Sequence, residues 1–259
     1  MTPKLVAHRG DMHSHPENTL LAFESALKSG VCMIELDIQM SNDHQFIVLH
    51  DDDFKRTGGN SASVFELTQD EIAKISVHEP EKYGDQFKPA PVPLLTQIVD
   101  LLKQYPKATA FIEIKDASLD RWGLDFVMVK LQQALKSCVS QCVIIAFNYE
   151  ALQKVKRDGI YRNGWVLTHF NEDSHRKAKQ LKPDYLICNH TKIPEEYLLS
   201  HNLWQDCGSW MLYDITEPTL ALKWSERGAD LIETGDITAM LKHPELQKAA
   251  CHHRAAIKA

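Results

Sequence analysis

Glu35 and Asp37 stand two residues apart in an apolar run at residues 33–38. Residues two apart in a strand project to the same side, so both carboxylates would share one face. Buried carboxylates repel each other and lose hydration unless a cation offsets them. Two all-oxygen ligands favour Mg²⁺ or Ca²⁺ over zinc. The alternative is that one carboxylate faces solvent or pairs with an Arg or Lys in a structural bridge, and these two residues alone do not decide.

A second apolar run, at residues 111–115, repeats the pattern with Glu113 and Lys115. If the two runs form neighbouring strands, Glu113 can complete the carboxylate set and Lys115 can meet a phosphate oxygen. The alternative is a plain salt bridge between Glu113 and Lys115. The pattern therefore predicts a cation site with a phosphate-binding group beside it.

Two histidines end strand-like runs near these carboxylates. His8 is followed by Arg9 and a glycine, and His50 by two aspartates. Histidine transfers protons near neutral pH, so the two form a candidate acid and base pair. The guanidinium of Arg9 offers a fork of donors that matches phosphate oxygens. The His-Arg-Gly tripeptide is weak on its own, because a lone histidine is more often structural.

Short apolar runs alternate with amphipathic segments along the chain, which is typical of repeated βα units. Eight strands are predicted, at residues 5–8, 33–38, 111–115, 143–147, 164–169, 185–189, 210–215 and 231–234. This count predicts an α/β fold, a (β/α)8 TIM barrel formed by one domain over residues 1–259. An excursion over about residues 44–92 reads as a small insertion after the second strand, on the face where active sites of such barrels lie.

Composition limits the classes of partner. The 259 residues carry a formal net charge of -6, so no basic field favours a nucleic acid or an anionic membrane surface. No apolar run reaches eighteen residues, and the first strand begins close to Met1, which leaves no room for a signal peptide. We therefore expect a cytoplasmic protein without stable membrane insertion. Its six cysteines are then expected to be free thiols.

Several short motifs occur in one order along the first half of the chain. They are His8-Arg9-Gly10, Pro16-Glu17-Asn18-Thr19, Glu35-Leu36-Asp37, His50-Asp51, Arg56-Thr57 and Glu113-Ile114-Lys115. In order and approximate spacing this set resembles the glycerophosphodiester phosphodiesterase family. The resemblance is strongest over residues 8–115 and continues more loosely to the last strand.

The resemblance implies a (β/α)8 barrel with a small insertion, which agrees with the strand count. It also implies metal-dependent hydrolysis of a small glycerophosphodiester to glycerol 3-phosphate and an alcohol. The implied site has His8 and His50 as acid and base, Glu35, Asp37 and Glu113 on one Mg²⁺ or Ca²⁺ ion, Arg9 and Lys115 on the phosphate, and Phe147 and Tyr213 near the glycerol. Position alone does not assign the acid, although the insertion beside His50 favours that residue.

Two segments depart from the family pattern. Asp214 and Thr216 stand where Thr and Asn are usual, and Gly235 replaces the aspartate of a usual T-D-x-P segment. The preferred substrate is therefore left open, as are the physiological metal and any homo-oligomeric state. Two alternatives also stand: a phospholipase C-like or sphingomyelinase D-like barrel acting on lipids, and a non-catalytic barrel that binds glycerophosphodiesters.

Overall fold

The structure is a computed structural model that describes residues 2–199, 204 and 206–251. Its strands are β1 (Lys4–Ala7), β2 (Met33–Met40), β3 (Phe46–Val48), β4 (Asp53–Phe54), β5 (Asn60–Ser63), β6 (Thr109–Ile114), β7 (Cys142–Ala146), β8 (Arg162–Val166), β9 (Tyr185–Asn189), β10 (Ser209–Tyr213) and β11 (Leu231–Thr234). Its α-helices are α1 (Leu20–Ser29), α2 (Lys55–Gly58), α3 (Gln69–Ile72), α4 (Pro80–Tyr83), α5 (Leu95–Gln104), α6 (Asp116–Trp122), α7 (Leu124–Leu135), α8 (Tyr149–Asp158), α9 (Glu172–Leu181), α10 (Pro218–Glu226), α11 (Ile237–Lys242) and α12 (Pro244–Gln247).

Eight of these strands are parallel and close into a barrel. Their order around it is β1, β2, β6, β7, β8, β9, β10 and β11, and β11 pairs back with β1. α-Helices lie between successive barrel strands in the chain, except between β9 and β10, where the described residues contain only the short 3-10 helix His190–Lys192. The predicted (β/α)8 barrel is therefore confirmed, with strand boundaries that differ from the predicted ones by a few residues.

The barrel strands read as continuous apolar runs because both of their faces are buried. One cluster, which includes Val6, Phe111, Val143 and Ile187, fills the barrel interior. The larger cluster lies between the outer side of the strands and the helices. Inward positions alternate along each strand, so Glu113, two residues after Phe111, follows the apolar layer towards the C-terminal end of β6.

Helix ends follow the expected chemistry. Thr19 caps α1 by accepting a hydrogen bond from the Ala22 N–H at 3.2 Å. Gly30 ends that helix with φ 107°, a left-handed value that glycine adopts without steric cost. Asn148 caps α8 by accepting a hydrogen bond from the Ala151 N–H. These caps fix the residues at which the two helices begin and end.

The segment after β2 contains β3, β4, β5 and α2 to α4. β3 runs antiparallel to β2 and widens the sheet, while β4 and β5 form a small hairpin. The segment has its own apolar cluster around Phe54, Val64 and Ile72. Its Tyr83 hydroxyl lies within hydrogen-bonding distance of the backbone carbonyls of residues 12, 13 and 15. The division into one barrel domain with an insertion over about residues 44–92 stays a prediction.

One expectation about the cysteines is wrong. Cys32 and Cys251 form a disulfide, although both were expected to be free thiols. The two residues are 219 positions apart, and only the fold brings their Cα atoms to 5.4 Å. Cys138, Cys142, Cys188 and Cys207 are free and buried, as expected.

Among the described residues, the helices are too short or too polar to cross a bilayer.

Candidate active site

Three carboxylates meet where the middle of β2 lies beside the C-terminal end of β6. Asp37 pairs with Glu113 in the strand register, and Glu35 lies two residues before Asp37. One oxygen from each of the three lies within 4.8 Å of the others. Their exposed fractions are 2% for Glu35, 1% for Asp37 and 9% for Glu113. The predicted metal ligands are thus brought together in a buried position.

Cations and an amide surround Asp37. Lys115 Nζ lies 2.7 Å from its Oδ1, Arg9 Nε lies 3.2 Å from its Oδ2, and Asn18 Nδ2 donates to Oδ2 at 2.9 Å. Burial raises the pKa of Asp37, but Lys115 and Arg9 outweigh burial and hold the pKa well below its usual range. Asp37 is therefore ionised.

Glu113 and Glu35 are less well compensated. Lys115 Nζ also lies 2.5 Å from Glu113 Oε1, yet burial and the nearby Asp37 raise the pKa of Glu113 to about 6. Burial and the neighbouring carboxylates raise the pKa of Glu35 well above its usual range. Glu35 Oε2 accepts a hydrogen bond from the Arg9 backbone N–H at 3.1 Å, whereas its buried Oε1 has no hydrogen-bond partner in the part of the chain that the structure describes. A buried oxygen without a donor is suited to a cation.

Arg9 is held by the turn that follows β1. Its φ of 51° is left-handed, and a Cβ on the next residue, Gly10, would lie 2.7 Å from the backbone of Ala22. Arg9 Nη1 donates to Glu17 Oε1 at 2.9 Å. Burial lowers the pKa of Arg9, but Asp37 and Glu17 outweigh it and raise the pKa, so the guanidinium stays charged.

Glu17 links this turn to the insertion. Arg56, on α2, donates from Nη1 and Nη2 to the two Glu17 oxygens at 2.7 and 2.8 Å. The Glu17 backbone N–H donates to Glu79 Oε2 at 2.8 Å. Arg56 Nε also donates to Asp51 within the insertion. Because Arg56 and Glu79 both bind Glu17, the insertion is held against the loop that carries Arg9.

His8 lies between acidic side chains. Its Nε2 is 3.5 Å from Glu233 Oε1 and 3.9 Å from Glu35 Oε2, and its Nδ1 is 3.8 Å from Asp214 Oδ1. Burial and the charge of Arg9 lower the pKa of His8 to about 3, despite the carboxylates nearby. The imidazole is therefore neutral at neutral pH.

His50 has a defined orientation. Its Nδ1 lies 2.6 Å from Asp51 Oδ1, and its backbone carbonyl accepts from Gln39 Nε2 at 3.1 Å. An ionised Asp51 can only accept, so Nδ1 carries the proton and Nε2 is left for another partner. Burial lowers the pKa of His50, although Asp37 and Asp51 act in the opposite direction.

Most of the predicted site residues line one pocket, which has a volume of about 170 Å³. The predicted residues that line it are His8, Arg9, His50, Glu113, Lys115, Phe147 and Tyr213. The remaining two, Glu35 and Asp37, contact Arg9 directly beneath this lining. All nine predicted site residues are therefore brought to one place.

The sequence reasoning missed three contributors. Glu233, on β11, is 3% exposed and lines the pocket, and Asp214 lines it too. Asn18 was named only as part of a family motif, without a role in the site, yet its side-chain amide donates a hydrogen bond to Asp37. A signal for Glu233 existed, because it is a carboxylate inside an apolar strand, like Glu35 and Glu113.

Comparison with known proteins decides the family. Residues 8–159 match the model of the glycerophosphoryl diester phosphodiesterase family, which is well over half of the chain. The chain belongs to this family of hydrolases. The matched stretch contains every predicted site residue except Tyr213, so the family assignment and the pocket concern the same part of the molecule.

Two relatives carry the family name. A glycerophosphodiester phosphodiesterase of Caldanaerobacter subterraneus is 31% identical over 159 residues, which are 61% of this chain and 63% of that protein. The mouse (Mus musculus) protein glycerophosphodiester phosphodiesterase 1 is 24% identical over 237 residues, which are 88% of this chain and 70% of that protein. The match thus spans somewhat under two thirds of the bacterial relative.

The fold of the family is also shared with solved structures. A phosphodiesterase of Oleispira antarctica, solved with its product sn-glycerol-3-phosphate, superposes with a TM-score of 0.81 at 21% identity and covers 96% of each chain. At 21% identity this likeness establishes only that the chain has the same barrel fold. The chemistry of the chain has to be argued from its own site.

Proposed function

We propose that the protein hydrolyses glycerophosphodiesters to glycerol 3-phosphate and an alcohol, using one divalent cation and a pair of histidines. One observation carries this proposal: a carboxylate triad, two histidines and two cationic side chains converge on one pocket at the C-terminal face of the barrel. Family membership and the names of the relatives support the same reaction.

Glu35, Asp37 and Glu113 would hold the cation. Their donors are all carboxylate oxygens, which suits Mg²⁺ or Ca²⁺. The buried Glu35 Oε1, which has no hydrogen-bond partner among residues 2–199, 204 and 206–251, supports this fit, since such an oxygen is costly without a cation or a donor. When bound, a divalent cation supplies positive charge that stabilises the phosphate oxygens as their negative charge grows.

Arg9 and Lys115 would contact the phosphate. Both side chains line the pocket. Arg9 forms an ion pair with Glu17, and Lys115 forms ion pairs with Asp37 and Glu113, so both are held in place. Donors that are already oriented need little reorganisation when charge develops on the substrate. Their fixed positive charge also offsets the charge of the phosphodiester when it binds.

His8 and His50 would move the protons. One removes a proton from the attacking hydroxyl, and the other delivers a proton to the departing alcohol oxygen. The Asp51 carboxylate stabilises an imidazolium at His50, and the insertion lies beside this residue, so we assign His50 as the acid and His8 as the base. The attacking group is either water or the 2-hydroxyl of the glycerol, in which case water opens the cyclic phosphate afterwards.

Phe147 and Tyr213 would pack against the glycerol. Both are aromatic side chains that line the pocket, and they give it an apolar surface in addition to its charged groups. An aromatic surface binds the carbon face of a polyol while polar groups bind its hydroxyls. This part of the proposal concerns the position of the substrate, and it does not depend on which histidine is the acid.

The test is a product assay with a panel of water-soluble glycerophosphodiesters and, in parallel, phospholipid and sphingomyelin vesicles. We expect glycerol 3-phosphate and the free alcohol from the soluble diesters in the presence of Mg²⁺ or Ca²⁺. Turnover of vesicle lipid alone would instead assign the protein to the lipid phosphodiesterases. Binding of a glycerophosphodiester with no product under either metal would indicate a non-catalytic barrel.

A further inference from the structure

A second group of potential ligands shares Glu35 with the carboxylate triad. It consists of His8, which follows directly after β1, and of Glu35 and Glu233, which lie within the adjacent barrel strands β2 and β11. One ligand atom from each lies within 4.8 Å of the others. His8 Nε2 is 3.5 Å from Glu233 Oε1 and 3.9 Å from Glu35 Oε2.

These spacings suit a small tetrahedral ion. Zinc binds imidazole nitrogen and carboxylate oxygen at about 2.1 Å, which puts neighbouring tetrahedral ligands about 3.4 Å apart. The observed separations from His8 Nε2 therefore need changes of a few tenths of an ångström.

Within the described part of the chain, this group lacks the compensation that the triad has. Lys115 lies between Asp37 and Glu113, whereas His8 is the one basic side chain of the described residues that forms an ion pair with the Glu233 carboxylate, at 3.5 Å. Glu233 is 3% exposed, and the buried Glu35 Oε1 has no hydrogen-bond partner among the described residues. The carboxylates of Glu35 and Glu233 are both buried and lie within 4.8 Å of each other, so their like charges repel in a place that water does not reach. A cation would remove this electrostatic cost.

We propose that His8, Glu35 and Glu233 form a zinc site, distinct from the hard-cation site, and that zinc bound there inhibits the enzyme. The nitrogen ligand makes the difference, because imidazole favours Zn²⁺ whereas an all-oxygen set favours Mg²⁺ or Ca²⁺. Histidine binds metals through a neutral imidazole nitrogen, and His8 Nε2 is the nitrogen that faces Glu35 and Glu233. Glu35 has two oxygens and can serve both sites.

Inhibition follows because zinc would bind His8 Nε2, the nitrogen that the proposed base uses. Zinc on Nε2 takes the lone pair with which His8 would accept a proton. A chain loaded with both ions would keep its charged pocket and lose the proposed base. The inhibitory part of this inference rests on the proposed function, whereas the zinc site itself does not.

The experiment uses the full chain saturated with Mg²⁺ and titrated with Zn²⁺. Bound zinc is measured by equilibrium dialysis with elemental analysis, and the release of choline from glycerophosphocholine is followed in the same samples. We expect one equivalent of zinc per chain despite excess Mg²⁺, with hydrolysis lost over the same zinc concentrations. Glu233→Gln should weaken zinc binding on the order of 100-fold and shift inhibition by the same factor.

Asp230→Asn is the matched control. Asp230 lies just before β11, at the other end of the barrel, where its Oδ2 accepts a hydrogen bond from the Trp210 N–H. This variant should bind zinc like the parent protein. Wild-type chain that takes up no zinc equivalent overturns the proposal, however the Glu233 variant folds. Equal zinc binding by the parent and by folded Glu233→Gln overturns it as well. If zinc binds but neither Mg²⁺ nor Ca²⁺ supports hydrolysis, the site stands and the proposed function fails.

Discussion

Lys115 Nζ lies 2.7 Å from Asp37 Oδ1, on β2, and 2.5 Å from Glu113 Oε1, on β6, the strand that Lys115 follows. An ammonium group thus sits between two of the three carboxylates to which we assign the metal. The same charge that offsets their repulsion would compete with a divalent cation for their oxygens. This relationship separates two roles of Lys115 that can be measured independently.

Lys115→Met should therefore bind the metal at least as tightly as the parent protein, because a repelling positive charge is removed. Its kcat/KM should fall on the order of 10²-fold to 10³-fold, since a phosphate-oriented donor is lost. Isothermal titration with Mg²⁺ and steady-state kinetics give the two numbers. Lys28→Met, on an exposed helix surface, is the control. Loss of metal binding in Lys115→Met would show that the lysine organises the carboxylates.

Arg9→Lys keeps the charge and loses the planar fork of donors. We expect kcat/KM to drop on the order of 10²-fold for every glycerophosphodiester, whatever its alcohol, because the phosphate is common to all. Arg56→Lys is the control, since Arg56 binds the same Glu17 without lining the pocket. Its catalytic loss should be much smaller. An Arg9→Lys enzyme with parental kinetics would make Arg9 a purely structural residue.

The two histidines can be told apart by the leaving group. His8→Ala and His50→Ala should each lower hydrolysis of glycerophosphocholine on the order of 10²-fold to 10⁴-fold. A nitrophenolate leaves without a proton, so His50→Ala should regain much of its loss on a nitrophenyl ester of glycerol phosphate. His8→Ala should not regain it. Both variants must be folded and metal-loaded, which circular dichroism and elemental analysis check. No leaving-group dependence in either variant would withdraw the acid and base assignment.

Glu17 should contribute stability that depends on pH. Burial raises its pKa, but Arg56 and Arg9 outweigh burial, so the pKa in the folded state is below the usual value. Such a group stabilises the fold above its unfolded pKa of about 4.3 and loses this contribution as pH falls through the folded pKa.

Glu17→Gln should accordingly lower the free energy of unfolding by about 3 kcal/mol at pH 7, because two guanidinium groups lose their buried partner. The difference from the parent protein should shrink below about pH 4, where the parent carboxylate also becomes protonated. Urea unfolding at a series of pH values measures both. A difference that is constant with pH would mean that packing, and not charge, explains the loss.

The position of the carboxylate triad could be predicted from the sequence because strand geometry is strictly periodic. Glu35 and Asp37 share a face by spacing, and the parallel register then sets Asp37 beside Glu113. Glu233 was not predicted, since a single carboxylate in a four-residue strand has no partner at the same spacing. Its proximity to His8 arises only when β11 closes the barrel against β1.

Long-range contacts outside the strands were equally hidden. Nothing in the local sequence links Cys32 to Cys251, and the net of Glu17, Arg56 and Asp51 depends on how the insertion folds back. The family resemblance placed the motifs of these residues in order without stating their contacts. Contacts between segments that are distant in the chain follow from the closed fold and are not encoded in spacing.

Release of glycerol 3-phosphate from glycerophosphocholine tests the central claim most directly. The assay compares the purified protein before chelation, after exhaustive chelation confirmed by elemental analysis, and after Mg²⁺ or Ca²⁺ is restored, with Glu35→Gln and Asp37→Asn run alongside. We predict glycerol 3-phosphate and choline in equal amounts, activity that disappears with the metal and returns with it, and folded variants that lose metal and turnover together. Full activity in verified metal-free protein, or no glycerol 3-phosphate under any metal, would contradict this account.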